Sequence, residues 1–392
     1  MASELQVNTI TEATSGSGIT FAKDIIPATP LSHRNMVING GMKVNQRKIA
    51  NLAQGTSNQY TVDRFVTLVT ESFDFDTTIN RIDLSGSDVA TTGQTSALKI
   101  EADSTQTPSG SANAGIATQL EGQDVQRLLY GTSAARDSVL TFWAKGSTNS
   151  VGTYTCQVSY IDSSSNWYSQ YHTFSLTTSW TKYTINVGGN GTSTSSGPVN
   201  SNAMGFNITW WLACGPDDLV SATSTWVSNP SPTYQGVTGM SNFLDDASNE
   251  FYLTGVQFEL GTVATPFEHR SIAEELDRCQ RYYQKSYSLD VAPGTSGAND
   301  GAISTRYYAA VVNRYDATAR FNKSMRTQPT MKIYDTQGTA DVVSRYGAQT
   351  SHAGTRGVSS IYHRGENGFG GFTLASGTDN TIVFHYTAEA EL

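Results

Sequence analysis

The stretch Phe251-Tyr-Leu-Thr-Gly-Val-Gln-Phe-Glu-Leu-Gly-Thr-Val-Ala-Thr-Pro-Phe-Glu-His-Arg-Ser-Ile-Ala-Glu-Glu-Leu-Asp-Arg-Cys-Gln-Arg-Tyr-Tyr-Gln-Lys285 organises the whole chain. Phe251 to Leu260 is rich in strand-forming residues, and Gly261 and Pro266 break the strand. Ser271 is then placed to cap a helix, with Glu274 three positions on as in a capping box. Ile272, Leu276, Cys279 and Tyr283 recur at three- and four-residue steps, which predicts one apolar helix face over 271–285. The stretch is therefore a junction: the last strand of one β-domain, a short helix, and the start of another domain.

Outward from the junction, strands dominate. Leu140–Ala144, Tyr154–Tyr160, Tyr183–Val187 and Met204–Ala213 alternate with period two, and Ser/Gly/Thr/Asn loops such as 188–202 separate them. Met36–Gly40 reads as a short strand with an Asn-Gly turn, and Val125–Tyr130 as one helical turn in a loop. Residues 31–270 thus predict a two-sheet sandwich. Beyond the helix, Thr305–Val312, Thr330–Tyr334, Ser359–Tyr362, Gly371–Leu374 and Asn380–Tyr386 predict a second, smaller β-sandwich over 286–392. Its apolar content looks thin for a core of its own, and no second helix is seen to cover the first; both points favour oligomerisation. Residues 1–30 form a separate segment. Leu5, Val7 and Ile10, then Ile19 and Phe21 after a Gly16-Ser-Gly18 turn, suggest a hairpin too small to bury itself, which must dock on a partner or associate with copies of itself.

The chain has 392 residues, enough for two or three domains, and only 15% are charged against roughly 25% in typical soluble proteins. Hydroxyls and amides carry the polarity instead. The net charge of −9 and the scattered Lys and Arg leave no footprint for nucleic acid or for an anionic membrane. No apolar run approaches the roughly 20 residues of a membrane helix. The start Met-Ala-Ser-Glu-Leu lacks the pattern of a signal peptide, so synthesis without signal-peptide export is expected. Three cysteines, Cys156, Cys214 and Cys279, are too few and too odd for a disulfide framework.

No motif announces catalysis. The chain lacks a Gly-x-Ser-x-Gly elbow, a phosphate-binding loop, a His-Glu-x-x-His run and any zinc-spaced Cys/His set. The doublets Asp217-Asp218, Asp245-Asp246 and Glu274-Glu275 read as solvated charges, because adjacent strand residues face opposite ways. No cofactor is expected. Asp245-Asp-Ala-Ser-Asn249 offers hard oxygen ligands for a structural calcium ion. Aromatic rings are the positive signal: Trp167-Tyr168, Tyr171, Trp210-Trp211 and Trp226, of which at least half should be core. Trp210-Trp211 reads as structural. Trp167 and Tyr168 follow the loop Ser163-Ser-Ser-Asn166 and are expected at a contact surface, as are Tyr346, Tyr362 and Arg364 beside Gly-rich loops near the C-terminus.

Several segments resemble a known family. Asn35-Met-Val-Ile-Asn-Gly-Gly-Met-Lys-Val-Asn-Gln-Arg47 with Thr61-Val-Asp-Arg-Phe65 is similar to the opening of jelly-roll domains in bacteriophage tail fibres. Ser175–Tyr183 resembles a strand pair of carbohydrate-binding-module sandwiches. Val256–Arg270 with Cys279-Gln-Arg-Tyr-Tyr283 carries the most specific likeness, and Met325–Thr330 and Tyr386–Leu392 are similar to fibre distal domains. Leu5–Ile10 looks like a virion-attachment segment. The resemblance implies an all-β protein: a jelly-roll, carbohydrate-binding-module-like sandwich joined by a short helix to a smaller C-terminal β-sandwich. It also implies a virion location and a homotrimer. Leu5, Val7, Ile10, Ile19 and Phe21 would hold a virion adaptor, baseplate or capsid protein, and the C-terminal domains would bind a host-surface glycan. Such a protein is not an enzyme. A capsid head fibre or decoration protein is the alternative reading, and a polysaccharide-degrading tailspike a further one.

Overall fold

The computed structural model describes residues 32–70, 73–191, 196–229, 235–306, 314–346, 352–375 and 381–392. Up to the junction the strands are β1 (Leu52–Gln54), β2 (Phe65–Val69), β3 (Thr77–Asp83), β4 (Ser96–Ala102), β5 (Asn113–Glu121), β6 (Ser138–Gly146), β7 (Gly152–Ile161), β8 (Trp167–Leu176), β9 (Thr181–Val187), β10 (Met204–Cys214), β11 (Leu219–Val220), β12 (Thr223–Asn229), β13 (Gly236–Val237) and β14 (Glu250–Leu260). Two six-stranded sheets form from them, in the orders β1-β3-β4-β14-β6-β9 and β12-β8-β7-β10-β5-β2. Every pairing within both sheets is antiparallel. This is the jelly-roll sandwich expected from the alternating strands.

Period-two alternation places the core. On β7, Tyr154, Cys156, Val158 and Tyr160 turn inward; on β10, Phe206, Ile208, Trp210 and Leu212 do the same. They meet Phe142, Phe251 and Phe258 of the opposite sheet. The Phe206 and Phe258 rings stack 4.9 Å apart, and Trp210 meets Phe142 edge-on at 5.4 Å.

Two local expectations are corrected. Met36–Gly40 is a buried bend, not a strand. Asn39 holds it in the left-handed region (φ 60°), with its side-chain amide bonded to Val44 N, Val44 O and Asp63 O. A second helix does exist, α1 (Gly86–Thr92), with Gly93 in the left-handed region closing it.

At the junction, α2 spans Ile272–Gln280, and the Ser271 hydroxyl accepts from Glu274 N at 3.2 Å as the cap predicts. The helix is shorter than 271–285, because Tyr283–Lys285 becomes strand β15 and pairs with the last strand. Its buried face also differs. Glu275 and Cys279 are buried, whereas Ile272 is 53% exposed. Glu275 is drawn inward because its carboxylate accepts from Asn39 N and lies 3.5 Å from the Arg270 guanidinium.

The remaining strands are β16 (Ile303–Arg306), β17 (Arg314–Arg320), β18 (Thr330–Tyr334), β19 (Val342–Tyr346), β20 (His352–Tyr362), β21 (Gly368–Leu374) and β22 (Thr381–Glu389). Together with β15 they make one eight-stranded sheet around β22, which also pairs β16 and β18. The order along it is β15-β22-β19-β20-β21-β17, so β19 and β20 lie between β22 and β21, yet Phe372 and Phe384 meet edge-on at 5.0 Å. The sheet therefore folds over on itself as a small sandwich. The expectation of a thin interior is corrected: Tyr315, Met325, Ile333, Phe369, Phe372, Phe384 and Tyr386 belong to a separate buried apolar cluster.

Candidate functional site

Strand parity that points one set of residues inward leaves the other set on the outer face of the β12-β8-β7-β10-β5-β2 sheet. Asn207 of β10 lies opposite Gln119 of β5 on one side and Ser159 of β7 on the other; Ser159 in turn faces Ser169 of β8. One register step along, Thr209 lies between Ala117 and Gln157, and Gln157 faces Tyr171. Amide and hydroxyl side chains, Gln119, Gln157, Ser159 and Asn207, line the middle. The result is a groove of about 200 Å³ bounded by Asn58, Leu68 and Val69 at one edge and by Trp167 and Gln235 at the other.

The groove is amphipathic. Trp211 is buried along its floor, and its Nε1 donates to Gln157 Oε1 at 2.8 Å. Gln157 Nε2 in turn donates to Ser169 Oγ at 3.1 Å, so the amide is held in one orientation. Asn207 Nδ2 donates to Thr209 Oγ1 at 2.8 Å. Asn207 Oδ1 and Gln119 Oε1 are buried and accept no hydrogen bond from the described residues. None of the lining side chains is charged.

The structure sorts the aromatic candidates by strand face. Trp167 opens β8 half-buried, at the groove edge. Tyr168 is the next residue and turns the other way. It is 8% exposed and stacks on Tyr160 at 5.0 Å, so its expected surface role is corrected. Trp210 is core, while Trp211, read from the sequence as structural, lines the groove. Trp226 packs edge-on to Tyr130 and Tyr160 and donates to Gly188 O. Gln119, Gln157 and Asn207 escaped the sequence reading, since isolated amides in strands carry no signal until register aligns them.

Elsewhere, the candidates separate. Tyr362 is half-buried, its hydroxyl 2.7 Å from Tyr315 O and 2.8 Å from Asp316 Oδ1. Arg364 is exposed in the β20–β21 turn. Tyr346 ends β19, and its side chain lies outside the described residues. Leu5, Val7, Ile10, Ile19 and Phe21 also lie outside them.

The carboxylate doublets are not uniformly solvated. Asp218 is buried and accepts from Asn113 Nδ2 at 2.6 Å, and Glu275 is buried as described above. In the loop considered for calcium, Asp246 accepts from Ser248 N at 2.8 Å and Asp245 from Asn249 Nδ2 at 2.8 Å. Among the described residues, no three His, Cys, Asp or Glu side chains converge as a metal site. His172 is held down to about 4 by burial.

No family model matches the chain, and no curated protein matches it. Among solved structures, the chain is similar to the CBM22-1-GH10 modules of Clostridium thermocellum xylanase 10B complexed with xylohexaose, at 12% identity and a TM-score of 0.30 over 60% of this chain. It spans 30% of that protein. It is also similar to the family 11 carbohydrate-binding module of a C. thermocellum cellulosomal cellulase, at 8% identity and a TM-score of 0.26, covering 56% of this chain and 99% of the module. A third is the enzymatically active domain of bacteriophage CBA120 tailspike protein 4, at 13% identity and a TM-score of 0.27, covering 58% of this chain and 21% of that one. Similarity at this level says nothing about ligand, activity or origin.

Proposed function

We propose that this chain is a non-enzymatic glycan-binding protein of a bacteriophage virion, which holds an uncharged saccharide in the groove of its jelly-roll domain. The observation that carries the glycan reading is the groove itself. Trp167 and Trp211 offer apolar ring surface, and Gln119, Gln157, Ser159, Asn207 and Gln235 frame them with amides and hydroxyls. Pyranose rings present the complementary pattern, apolar C–H faces edged by hydroxyls. With no cation or carboxylate among the described residues that line it, the groove favours a neutral chain.

The same lining supports binding over hydrolysis. Glycoside cleavage uses two carboxyl groups across the scissile bond, and the described residues that line the groove supply neither. The virion assignment rests on the likeness of Asn35–Arg47, Val256–Tyr283 and Met325–Thr330 to tail-fibre segments. In that reading residues 1–30 attach the chain to a tail or capsid partner, and three copies assemble so that weak sites act together.

Isothermal titration of the full chain against neutral xylo- and gluco-oligosaccharides tests the binding claim. Saturable binding that weakens about tenfold in Trp167→Ala supports it. Absence of binding, or shortened oligosaccharides after incubation, overturns it. Antibody labelling of particles tests the virion claim.

A further inference from the structure

The outer face of the small C-terminal sandwich carries a second, chemically opposite surface. β17 and β21 pair with Ala319 opposite Phe369 and Arg320 opposite Gly368. Ala319 and Phe369 turn into the core, so Thr318 and Arg320 face outward beside Gly368 and Gly370. With two glycines there, the sheet is bare backbone at that point. The β20–β21 turn then places His363 and Arg364 on the far side. A side chain at Gly370 would meet the His363 Cβ at 2.9 Å, so the imidazole lies directly over this glycine. The result is an open trough of about 440 Å³, walled by Thr318 and Arg320 on one side and His363 and Arg364 on the other.

The charge balance of the trough is unusual for this chain. The protein carries a net −9, yet here two guanidiniums face one carboxylate, that of Glu366 on the turn. Arg320 and Arg364 are both exposed, and among the described residues neither finds a side-chain hydrogen bond or ion pair. Other arginines are engaged: Arg47, Arg64, Arg81, Arg270, Arg278 and Arg281 all pair with carboxylates. Arg320 and Arg364 thus present two donor forks on either side of a glycine floor, of which His363 covers the Gly370 end. A planar or tetrahedral oxyanion fits that arrangement, since guanidinium binds carboxylate and phosphate through paired N–H donors, and glycine backbone permits close approach.

We propose that the Arg320–His363–Arg364 trough binds an oxyanion, carboxylate or phosphate, borne on a surface polymer. The polymer's being a glycan rests on the function proposed above; the oxyanion does not. Arg320 and Arg364 supply the charge, and His363 walls the site over Gly370. The ligand is therefore distinct from the neutral chain assigned to the jelly-roll groove, and the two sites would read different parts of one envelope.

The test uses the full chain and three probes: an oligomer of glucuronic acid, a poly(glycerol phosphate) chain and a neutral gluco-oligosaccharide. Each is titrated by calorimetry at 50 mM and 500 mM NaCl against the wild type, Arg320→Gln, Arg364→Gln, their double variant and Trp167→Ala. Saturable binding of the uronate oligomer assigns the trough to carboxylates, and of the phosphate polymer to phosphodiesters. In either case affinity should drop at least tenfold in the double variant and fall at high salt, with no change in Trp167→Ala. The thermal midpoint of the double variant should stay at the wild-type value, because both side chains are exposed and unpaired. Binding of neither anionic probe, or equal binding by wild type and double variant, overturns the proposal. Weaker neutral-sugar binding in Trp167→Ala reports on the groove alone, so the two readings fail separately.

Discussion

Arg281, just past α2, grips Glu121 at the end of β5 through two N–H donors, Nε to Oε1 at 2.6 Å and Nη2 to Oε2 at 2.8 Å. The Glu121 side chain is fully buried and also accepts from the Tyr282 hydroxyl at 2.6 Å. Nearby, the end of the chain turns back into the jelly roll. Glu391 pairs with Arg64 and, at 3.2 Å, with Arg47. The Arg47 guanidinium lies 4.0 Å from the Tyr283 ring centre, and Arg64 lies 3.5 Å from that of Tyr282. A buried ionic and aromatic seam thus ties the C-terminal sandwich to the jelly roll.

Glu391→Gln should destabilise the protein by about 3 kcal/mol, because it leaves two buried guanidiniums with less compensating charge. Urea unfolding followed by tryptophan fluorescence measures this. A midpoint equal to the wild type would show that the seam is not a source of stability.

Trp167 and Tyr168 are neighbours with opposite expected effects. Trp167→Ala should leave the urea midpoint near the wild-type value and weaken neutral-sugar binding about tenfold, a change of ~1.4 kcal/mol. Tyr168→Ala should cost about 3 kcal/mol of stability, since its ring is packed on Tyr160. Paired titration and denaturation of the two variants checks the strand face directly.

Gly115→Ala tests the floor of the groove. A side chain there would come within 2.4 Å of Trp210 O and 3.0 Å of Trp211 Cα, both backbone atoms with little room to give. Destabilisation of about 1–3 kcal/mol is expected, with weaker sugar binding as Trp211 shifts. Thermal melting and calorimetry read the two effects.

Lys285 predicts a pH response. Burial holds its ammonium down at about 8, with Nζ donating to the carbonyls of Leu289 and Val291. The unfolded chain keeps that proton until roughly pH 10.4. Between these values the unfolded state binds more protons, so stability rises with pH. Above about 10 the tyrosines oppose this, among them half-buried Tyr252, which desolvation first and the Glu250 carboxylate second hold up at about 12. Burial raises the thiols of Cys156, Cys214 and Cys279, so the unfolded chain loses those protons first and stability falls on their account above roughly pH 8.5. The Lys285 contribution is therefore read as a difference: the urea midpoint of Lys285→Met, relative to the wild type, should drop steadily from pH 8 to 9.5. A difference between Lys285→Met and wild type that does not change with pH would contradict the assignment.

Much of the architecture can be read along the chain. Alternation in Tyr154–Tyr160 and Met204–Ala213 is a local property of strands packed on one face, so it survives without any knowledge of partners. The Ser271 cap is equally local, because it needs only a hydroxyl and an N–H three residues away. The paucity of charge, and its spread, was visible in composition alone. Register is different. Whether Trp167 or Tyr168 faces the core depends on which residue of β7 each strand position meets, and a shift of one residue exchanges the two. The groove amides come from three strands and align only once those strands pair. Arg320 and Arg364, and likewise Arg47, Arg64 and Glu391, are far apart along the chain and adjacent in space. Their meeting is a product of sheet folding and burial, which no local pattern encodes.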